Sequence, residues 1–362
     1  MSNRFTTMPG PAPEPELSLV VPVFNQCEWL PGLFDSIQKQ VDPPRFEVIL
    51  CDDGSTDGPL PVASRLADQY QIDLRLVWQP DRGFRLSRSK NNGIRCASGR
   101  IVVFCDGDTW LAPSFMADHL RAHETAGRLV CGSRYTKFVA DLPASFVWPQ
   151  DGLPPDDGAI REPINQTKWL GSPWEWAACF GGNFSVERSR CPSFDENFRS
   201  WGSEDRDIAY RLTTSGLRVF VLTEPNAIQW KLSGSNWTDM SHDEVVAFLE
   251  NKEYLASKYP AGELAPSVNL VRRCHLSEGG RWSIGPARDE SAAEVFQQFH
   301  FWKSRLDAGE ASVLSPSATP ASCGAAFSRL LPRRSDSVDP ERVIREHMII
   351  NDLTAVSAAV HS

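Results

Sequence analysis

Two aspartates separated by one glycine, Asp106 and Asp108, directly follow the apolar run 101–104. The run predicts a buried strand, and open α/β sheets bind ligands at the carboxyl ends of their strands. Carboxylate oxygens suit hard divalent cations, and the small Gly107 lets a metal-bound diphosphate approach the backbone. Aspartate and glycine also form ordinary turns, so the tripeptide alone does not separate a metal site from a turn.

A second acidic turn, Asp52-Asp53-Gly54, follows the predicted strand 46–51. Strands are also predicted at 17–24, 74–78 and 101–104, and segments with helical character at 28–40, 61–70 and 87–97 lie between them. This alternation is typical of a parallel sheet covered by helices. The predicted fold class is therefore α/β with a mainly parallel central sheet and both acidic turns at one edge.

The second half of the chain is predicted to be less regular. Short strands are expected at 129–132 and 219–222, a long irregular insert at 135–171, and helices at 205–214 and 243–259. We expect a flexible leader at 1–16, a catalytic domain at 17–259, and a helical or irregular extension at 260–362 with a flexible linker near 308–325. The aromatic segment 293–306 either contacts a partner or membrane surface, or covers its own domain, which is favoured.

Composition limits the function classes. The 362 residues carry a formal charge of -9, and the pI is near 5.4, which argues against a general nucleic-acid binder. Nine cysteines stand singly without a CxxC pair, so neither a zinc knuckle nor a disulfide framework is indicated. The sequence contains no uninterrupted run of about 18 apolar residues, so no membrane-spanning segment is predicted. A reduced, cytoplasmic protein is expected, and its oligomeric state is not predicted.

Several motifs occur together in one order and resemble those of the family 2 glycosyltransferases. They are Val20-Val-Pro-Val-Phe-Asn25, Asp52-Asp-Gly-Ser-Thr-Asp57, Gly83-Phe-Arg85, Lys90-Asn91 and Asp106-Gly-Asp108, and Trp201-Gly-Ser-Glu-Asp205 also resembles the galactosyltransferase catalytic segment. An ordered set is more specific than any single motif. The resemblance covers about 17–259 and implies a GT-A fold that transfers a hexose or N-acetylhexosamine from a UDP-sugar to a hydroxyl acceptor.

The resemblance also implies a donor site. Asp53 would accept a hydrogen bond from the uracil imide, while Asp52 supports the turn or the ribose. Arg85 and Lys90 would offset the charge of the diphosphate, a role weighed equally against that of solvated helix residues. The full set of expected donor-binding residues is Pro22, Phe24, Asp52, Asp53, Arg85, Lys90, Asp106 and Gly107.

A divalent cation, Mn²⁺ or Mg²⁺, is implied at Asp106 and Asp108. Relatives often add a histidine after the catalytic helix, but the corresponding stretch 225–230 contains none. His242 is the candidate third ligand, and a surface histidine is the alternative interpretation. His119 and His123 stand at i,i+4, a spacing that could bind zinc, but without a glutamate between them a solvated helix face is favoured.

Catalysis by inversion needs a base that removes the proton of the acceptor hydroxyl, and Asp205 is expected in that role. Glu204 would orient acceptor hydroxyls. Both acidic residues could instead simply favour the start of a helix. The expected acceptor-binding residues are Gly182, Asn183, Trp201 and Trp176, although large aromatics are more often core residues.

Two other functions remain open from the sequence. A nucleotidyltransferase also uses paired carboxylates and a metal, but the segment 201–205 argues against it. A catalytically impaired carbohydrate-binding or scaffold protein on the same fold is favoured by the missing histidine and the long insert. The sequence also leaves open whether the segment 293–306 makes peripheral contact with a membrane.

Overall fold

The structure is a computed structural model, and it describes residues 14–148, 160–161, 166–167, 169–232, 240–259, 264–277, 280–307 and 349–350. All structural statements below concern these residues. The linker predicted near 308–325 and most of the leader predicted at 1–16 lie outside them.

The first half of the chain alternates strands with helices, as the sequence predicts. The strands are β1 (Leu17–Val23), β2 (Phe46–Asp52), β3 (Leu74–Trp78), β4 (Ile101–Cys105) and β5 (Thr109–Leu111). The helices are α1 (Leu30–Gln38), α2 (Pro59–Tyr70), α3 (Leu86–Cys96) and α4 (Phe115–Ala122). β1 pairs in parallel with both β2 and β4, and β2 pairs in parallel with β3. The carboxyl ends of these four strands therefore meet at one edge.

The second half completes the sheet and adds further helices. The strands are β6 (Arg128–Val139), β7 (Ile160–Arg161), β8 (Asn183–Glu187), β9 (Arg218–Leu232), β10 (Cys274–Leu276), β11 (Trp282–Ile284) and β12 (Ile349–Ile350). The helices are α5 (Glu204–Thr214), α6 (His242–Lys258), α7 (Ala265–Val268) and α8 (Ala292–Asp307). The main sheet runs β12-β3-β2-β1-β4-β8-β6-β9-β5, with β7 beside β6 and with β10 paired to β11 separately. The predicted α/β class is confirmed.

Apolar side chains of the sheet supply a core on each face. Leu19 and Val21 of β1 pack in one cluster with α1 and α2, whereas Val20 packs in the other with α5. This follows from the alternation of side chains along a strand. A third cluster joins α6 to β11 and α8, through Phe248, Trp282 and Phe299. Residues after 259 thus share a core with the helix expected to end the catalytic domain.

Two strands are longer than the sequence predicts. β6 continues through Val139, into the segment expected to be irregular, and β9 begins at Arg218 and reaches Leu232. The two strands pair in parallel over most of their length, with a register shift near Ser133. Charged residues recur along both strands, so the short apolar runs used for prediction mark only part of each.

The histidines of α4 are not on a solvated face. His119 and His123 are both buried, and Ser185 Oγ lies 2.8 Å from His119 Nδ1 and 2.9 Å from His123 Nε2. Burial lowers the pKa of His119 to about 3 and that of His123 to about 4. Both rings are therefore neutral at pH 7 and belong to a buried hydrogen-bond network that also includes Asn183.

Helix length and polarity bear on membrane contact. Among the helices within the described ranges, none is both long and apolar enough to cross a bilayer. In α8, Val295 and Phe299 are buried in the third cluster, while Phe301 is exposed. Most of the apolar side of α8 that the structure describes therefore covers this chain's own core.

Candidate active site

The carboxyl ends of β1, β2 and β4 bring the predicted donor residues to one edge. Val23 stands beside Asp52 in the β1–β2 register. A Cβ on Gly107 would meet Val23 Cγ1 at 2.8 Å and Pro22 O at 3.4 Å. Pro22 and Gly107 are therefore in contact, and only glycine allows this approach. Phe24, immediately after β1, is half-buried at the same edge.

Asp53 is a buried carboxylate that accepts hydrogen bonds from two neutral donors and lies beside the Arg85 guanidinium. Its Oδ1 accepts from Gln79 Nε2 at 2.5 Å, and its Oδ2 accepts from the Arg85 backbone N–H at 2.8 Å. Burial raises the pKa of Asp53 to about 6, although the two hydrogen bonds oppose the shift. Asp52 accepts instead from the Ser55 backbone N–H at 2.9 Å, which closes the acidic turn.

The two residues predicted to offset the charge of the diphosphate each lie beside a protein carboxylate. Arg85 Nε is 3.9 Å from Asp53 Oδ1, so its side chain is at the Asp53 turn. Lys90 is only 1% exposed, and its Nζ lies 3.3 Å from Glu204 Oε1 and 3.5 Å from Gly181 O. The structure thus places Lys90 beside the predicted catalytic segment, where its charge balances a buried glutamate.

Glu204 and Asp205 begin α5 in different environments. Glu204 is buried, and burial raises the pKa of its carboxyl even though Lys90 beside it opposes the shift. Asp205 is half-buried. Its Oδ2 accepts from the Gly181 backbone N–H at 3.1 Å and its Oδ1 from the Arg206 backbone N–H at 2.8 Å. These bonds fix the orientation of a carboxylate that still reaches solvent.

The entry to α5 is constrained. Ser203 precedes the helix with φ +88°, a value uncommon for a residue with a side chain, and Gly202 has φ +86°. Ser203 precedes the first residue of α5, but its hydroxyl makes no capping hydrogen bond to the helix backbone. Unfavourable backbone conformations persist where the surroundings impose them, and they occur often at functional sites.

One dipeptide connects the acidic turn after β4 to Asp205. Gly181 N donates to Asp205, and Gly182 O accepts from Asp106 N at 3.4 Å. A Cβ on Gly182 would overlap the carboxylate of Asp106 and the guanidinium of Arg134. Gly181-Gly182 therefore lies between the two ends of the predicted site, with Gly182 against Asp106, and its role in acceptor binding stays a prediction.

Each acidic residue of the 106–108 turn has a cationic partner. Arg134 Nη1 is 3.3 Å from Asp106 Oδ2. Asp108, which is buried, accepts from Gln229 Nε2 at 3.1 and 3.3 Å, and its Oδ2 lies 2.6 Å from Lys231 Nζ. Both carboxylates are therefore already paired with protein cations.

The predicted third metal ligand is not at this turn. His242 begins α6, and its Nδ1 accepts from the Trp282 backbone N–H at 3.1 Å, next to the third core cluster. Within the described part of the chain, no three His, Cys, Asp or Glu side chains converge as metal ligands do. A divalent ion at Asp108 would also be repelled by Lys231 at its side. The residues of the turn, as they are arranged, do not fit a metal held by the protein.

Two predicted acceptor residues are inaccessible. Trp176 is 2% exposed and packs edge-on against Tyr210 in the core. Asn183 is 0% exposed and donates to Asn226 Oδ1 at 2.9 Å. Burial therefore corrects both assignments. Trp201 is 39% exposed and stacks on Phe248 with ring centroids 5.8 Å apart, so one face of its indole is supported from behind.

Sequence reasoning missed Arg134, Gln229 and Lys231. All three lie on the extended portions of β6 and β9 that were not predicted as strands. The available signal was alternation: Gln229 and Lys231 flank Trp230, which packs in the core, so the two polar side chains share the opposite face.

The chain has detectable relatives. Residues 18–189 match the family model described as glycosyl transferase family 2, and residues 163–230 match that described as the N-terminal domain of galactosyltransferase. Fold, acidic turns and family models define a glycosyltransferase. The chain belongs to the family 2 glycosyltransferases, which confirms the resemblance to that family, while the catalytic role of the segment 201–205 stays a prediction.

Two curated relatives and one solved structure illustrate the likeness. Validoxylamine A glucosyltransferase of Streptomyces hygroscopicus subsp. limoneus is 26% identical over 290 residues, covering 72% of this chain and 61% of that protein. The uncharacterized glycosyltransferase YfnE of Bacillus subtilis is 27% identical over 246 residues, covering 55% of this chain and 61% of that protein. This chain therefore spans about three fifths of either relative.

The solved structure shares the fold. The mannosyltransferase PcManGT from Pyrobaculum calidifontis, in complex with GDP-Man and Mn²⁺, matches with a TM-score of 0.52 at 17% identity, covering 98% of this chain and 90% of that one. The predicted GT-A architecture is confirmed.

Proposed function

We propose that this chain is an inverting glycosyltransferase that moves a hexose or N-acetylhexosamine from a UDP-sugar to a hydroxyl acceptor, with Asp205 as the general base. One observation carries the proposal. The Gly181-Gly182 dipeptide holds Asp205 on one side and Asp106 on the other, so a half-buried carboxylate stands close to the edge where the ligands of open α/β sheets bind.

The donor would occupy that edge. Pro22 and Phe24 line the pocket for the nucleoside, and Asp53 accepts a hydrogen bond from an N–H of the base. This bond adds to those that Asp53 already accepts from Gln79 and from the Arg85 backbone, and a base without the matching N–H loses it. The diphosphate lies toward Asp106 and Gly107, at the carboxyl end of β4.

The transfer step follows from the position of Asp205. The acceptor oxygen attacks the anomeric carbon while the bond from that carbon to the diphosphate breaks, and the bonding pair leaves with the nucleoside diphosphate. Asp205 takes the proton of the acceptor hydroxyl, and its two backbone hydrogen bonds keep it oriented. Trp201 offers an exposed aromatic face to a sugar, whereas the buried Glu204 pairs with Lys90 at the start of α5 and does not contact the acceptor.

The proposed function implies a division of the chain into a catalytic domain and an extension. The proposed catalytic domain is 17–259, and the residues after it that the structure describes close the third core against α6. This packing favours a covering role for α8 over docking to a partner.

A donor panel tests the proposal. The melting temperature is measured with UDP- and GDP-sugars, because a ligand bound to the folded state stabilises it. Product formation and nucleoside diphosphate release are then followed with candidate acceptors, and the anomeric configuration of the product is read by NMR. A UDP-sugar is expected to give the largest shift, and the product is expected to have the inverted configuration.

Variants of two aspartates isolate the base. Asp205→Asn is expected to lower the transfer rate at least about a hundredfold. The shift in melting temperature that the donor causes should change little. Asp118→Asn, on the surface of α4, serves as the matched control and should transfer normally. Unchanged transfer by Asp205→Asn would refute the assignment of the base, and release of pyrophosphate would show a nucleotidyltransferase instead.

A further inference from the structure

Strand β9 presents two polar side chains to Asp108. Lys231 Nζ is 2.6 Å from Asp108 Oδ2, and Gln229 Nε2 bonds both carboxylate oxygens. The Trp230 backbone N–H donates to Asp108 O at 3.0 Å, which fixes the register between the turn and the strand. The position of Lys231 is therefore determined by backbone pairing as well as by its own charge.

The charges at the turn are balanced. Asp106 and Asp108 carry two negative charges, and Arg134 and Lys231 carry two positive ones. Two bare carboxylates would repel a diphosphate, and a metal ion is one way to reverse that repulsion. Here the fixed charges of Arg134 and Lys231 already cancel that repulsion. The Lys231 side chain is 34% exposed, so its ammonium has room for a further acceptor besides Asp108.

We propose that Lys231, together with Arg134, is the cationic binding site for the donor's diphosphate and takes the place of a divalent ion. The inference rests on the proposed function. Lys231 donates to a phosphate oxygen and stabilises the negative charge that accumulates on the nucleoside diphosphate as its bond to the anomeric carbon breaks. Asp108 and Gln229 hold the lysine in position, and the proton of the acceptor still passes to Asp205.

A structural role for the lysine makes different predictions. If Lys231 only compensates the buried Asp108, its removal lowers stability and leaves the metal requirement unchanged. If it binds the diphosphate, nucleotide affinity is independent of divalent ions in the wild type and depends on the side chain at 231. Histidine ligates metals as a neutral imidazole. Replacing Lys231 by histidine should therefore make nucleotide binding dependent on a divalent ion.

The experiment is calorimetric titration of UDP, and separately of GDP, into the full chain in EDTA and in Mn²⁺. We expect the wild type to bind the preferred nucleotide with affinities within about twofold in the two buffers. Lys231→Met should bind at least about tenfold more weakly in EDTA, which corresponds to about 1.4 kcal/mol. Lys231→His should bind weakly in EDTA and recover in Mn²⁺.

Controls separate binding from folding. Lys39→Met removes another lysine–aspartate pair of 2.6 Å, with Asp35 on the surface of α1, and should bind like the wild type. Melting curves of each variant report its fold. If Lys231→Met does not fold, the wild-type comparison of EDTA with Mn²⁺ still decides the question.

Two results would overturn the inference. The first is a wild type whose nucleotide binding falls tenfold or more in EDTA, and the second is a folded Lys231→Met that binds in EDTA as the wild type does. Either result leaves the proposed transferase standing. Absence of nucleotide binding in both buffers would instead refute the proposed function together with the role of Lys231.

Discussion

The buried carboxylate of Asp53 predicts a pH dependence of donor binding that an ordinary aspartate would not produce. Its pKa is raised to about 6, chiefly by burial. The carboxylate form, which accepts the N–H of the base, then falls from about nine-tenths at pH 7 to about one-tenth at pH 5. The apparent Kd for the donor should therefore rise about tenfold, whereas an aspartate with its usual pKa would change it by under about 10%.

The assay is titration of UDP-glucose between pH 5 and pH 8. A nucleotide sugar is preferable to UDP, because a terminal phosphate itself titrates near pH 6. Asp53→Asn is expected to bind more weakly at pH 7 and with no dependence on pH. Asp57→Asn, in the same loop but on an exposed carboxylate that accepts from Cys27 N at 2.8 Å, should keep the wild-type curve.

The pH dependence of the folding stability is a second, independent test of the raised pKa of Asp53. The folded-state pKa of Asp53 lies above the unfolded one, so the folded state binds more protons in the window from about 4 to 6. Stability contributed by this group therefore falls as pH rises through that window. Asp53→Asn should then melt higher than the wild type at pH 7 without donor. A wild-type Kd that is flat from pH 7 to pH 5, or an Asn variant with the wild-type slope, would refute the reasoning.

Three further substitutions test the rest of the site. Gly182→Ala should displace Asp106 and abolish transfer while the melting temperature stays within a few degrees, measured by activity and calorimetry. Lys90→Met should cost about 3 kcal/mol by leaving Glu204 buried without a counter-charge, and adding Glu204→Gln should recover most of that loss in urea unfolding. Burial lowers the pKa of Lys252 to about 8. The buried ammonium therefore destabilises the fold below that pH, and this cost disappears as the pH approaches the usual lysine pKa of about 10.5. Lys252→Met should accordingly raise the melting temperature at pH 7 but not at pH 10.

The sequence predicts the parallel half of the fold well, and the reason is physical. β1, β2 and β4 are buried on both faces, so their residues are nearly all apolar and stand out from the helices between them. The acidic turns at their ends are local features of the chain, and their shared edge follows from the parallel pairing alone.

The opposite side of the site could not be predicted in the same way. Arg134 and Lys231 come from strands whose polar alternation hides them, and their contacts with the acidic turn span 28 and 123 residues along the chain. Lys90 was assigned to the diphosphate from its charge, but its partner Glu204 is 114 residues away. Charge alone does not choose between two acidic groups that the fold brings to the same region.

Burial separates the roles of the two acidic residues at the start of α5. Glu204 is enclosed with Lys90 and is only 5% exposed, so its carboxylate is poorly placed to contact an acceptor hydroxyl or to release a proton to solvent. Among the residues that the structure describes, the backbone N–H groups of Gly181 and Arg206 donate to the Asp205 oxygens, and the carboxylate keeps access to solvent. A base must both accept a proton and release it afterwards, which favours the accessible carboxylate. The Lys90–Glu204 pair then anchors the start of the helix, so that Asp205 is held against Gly181 while it exchanges its proton.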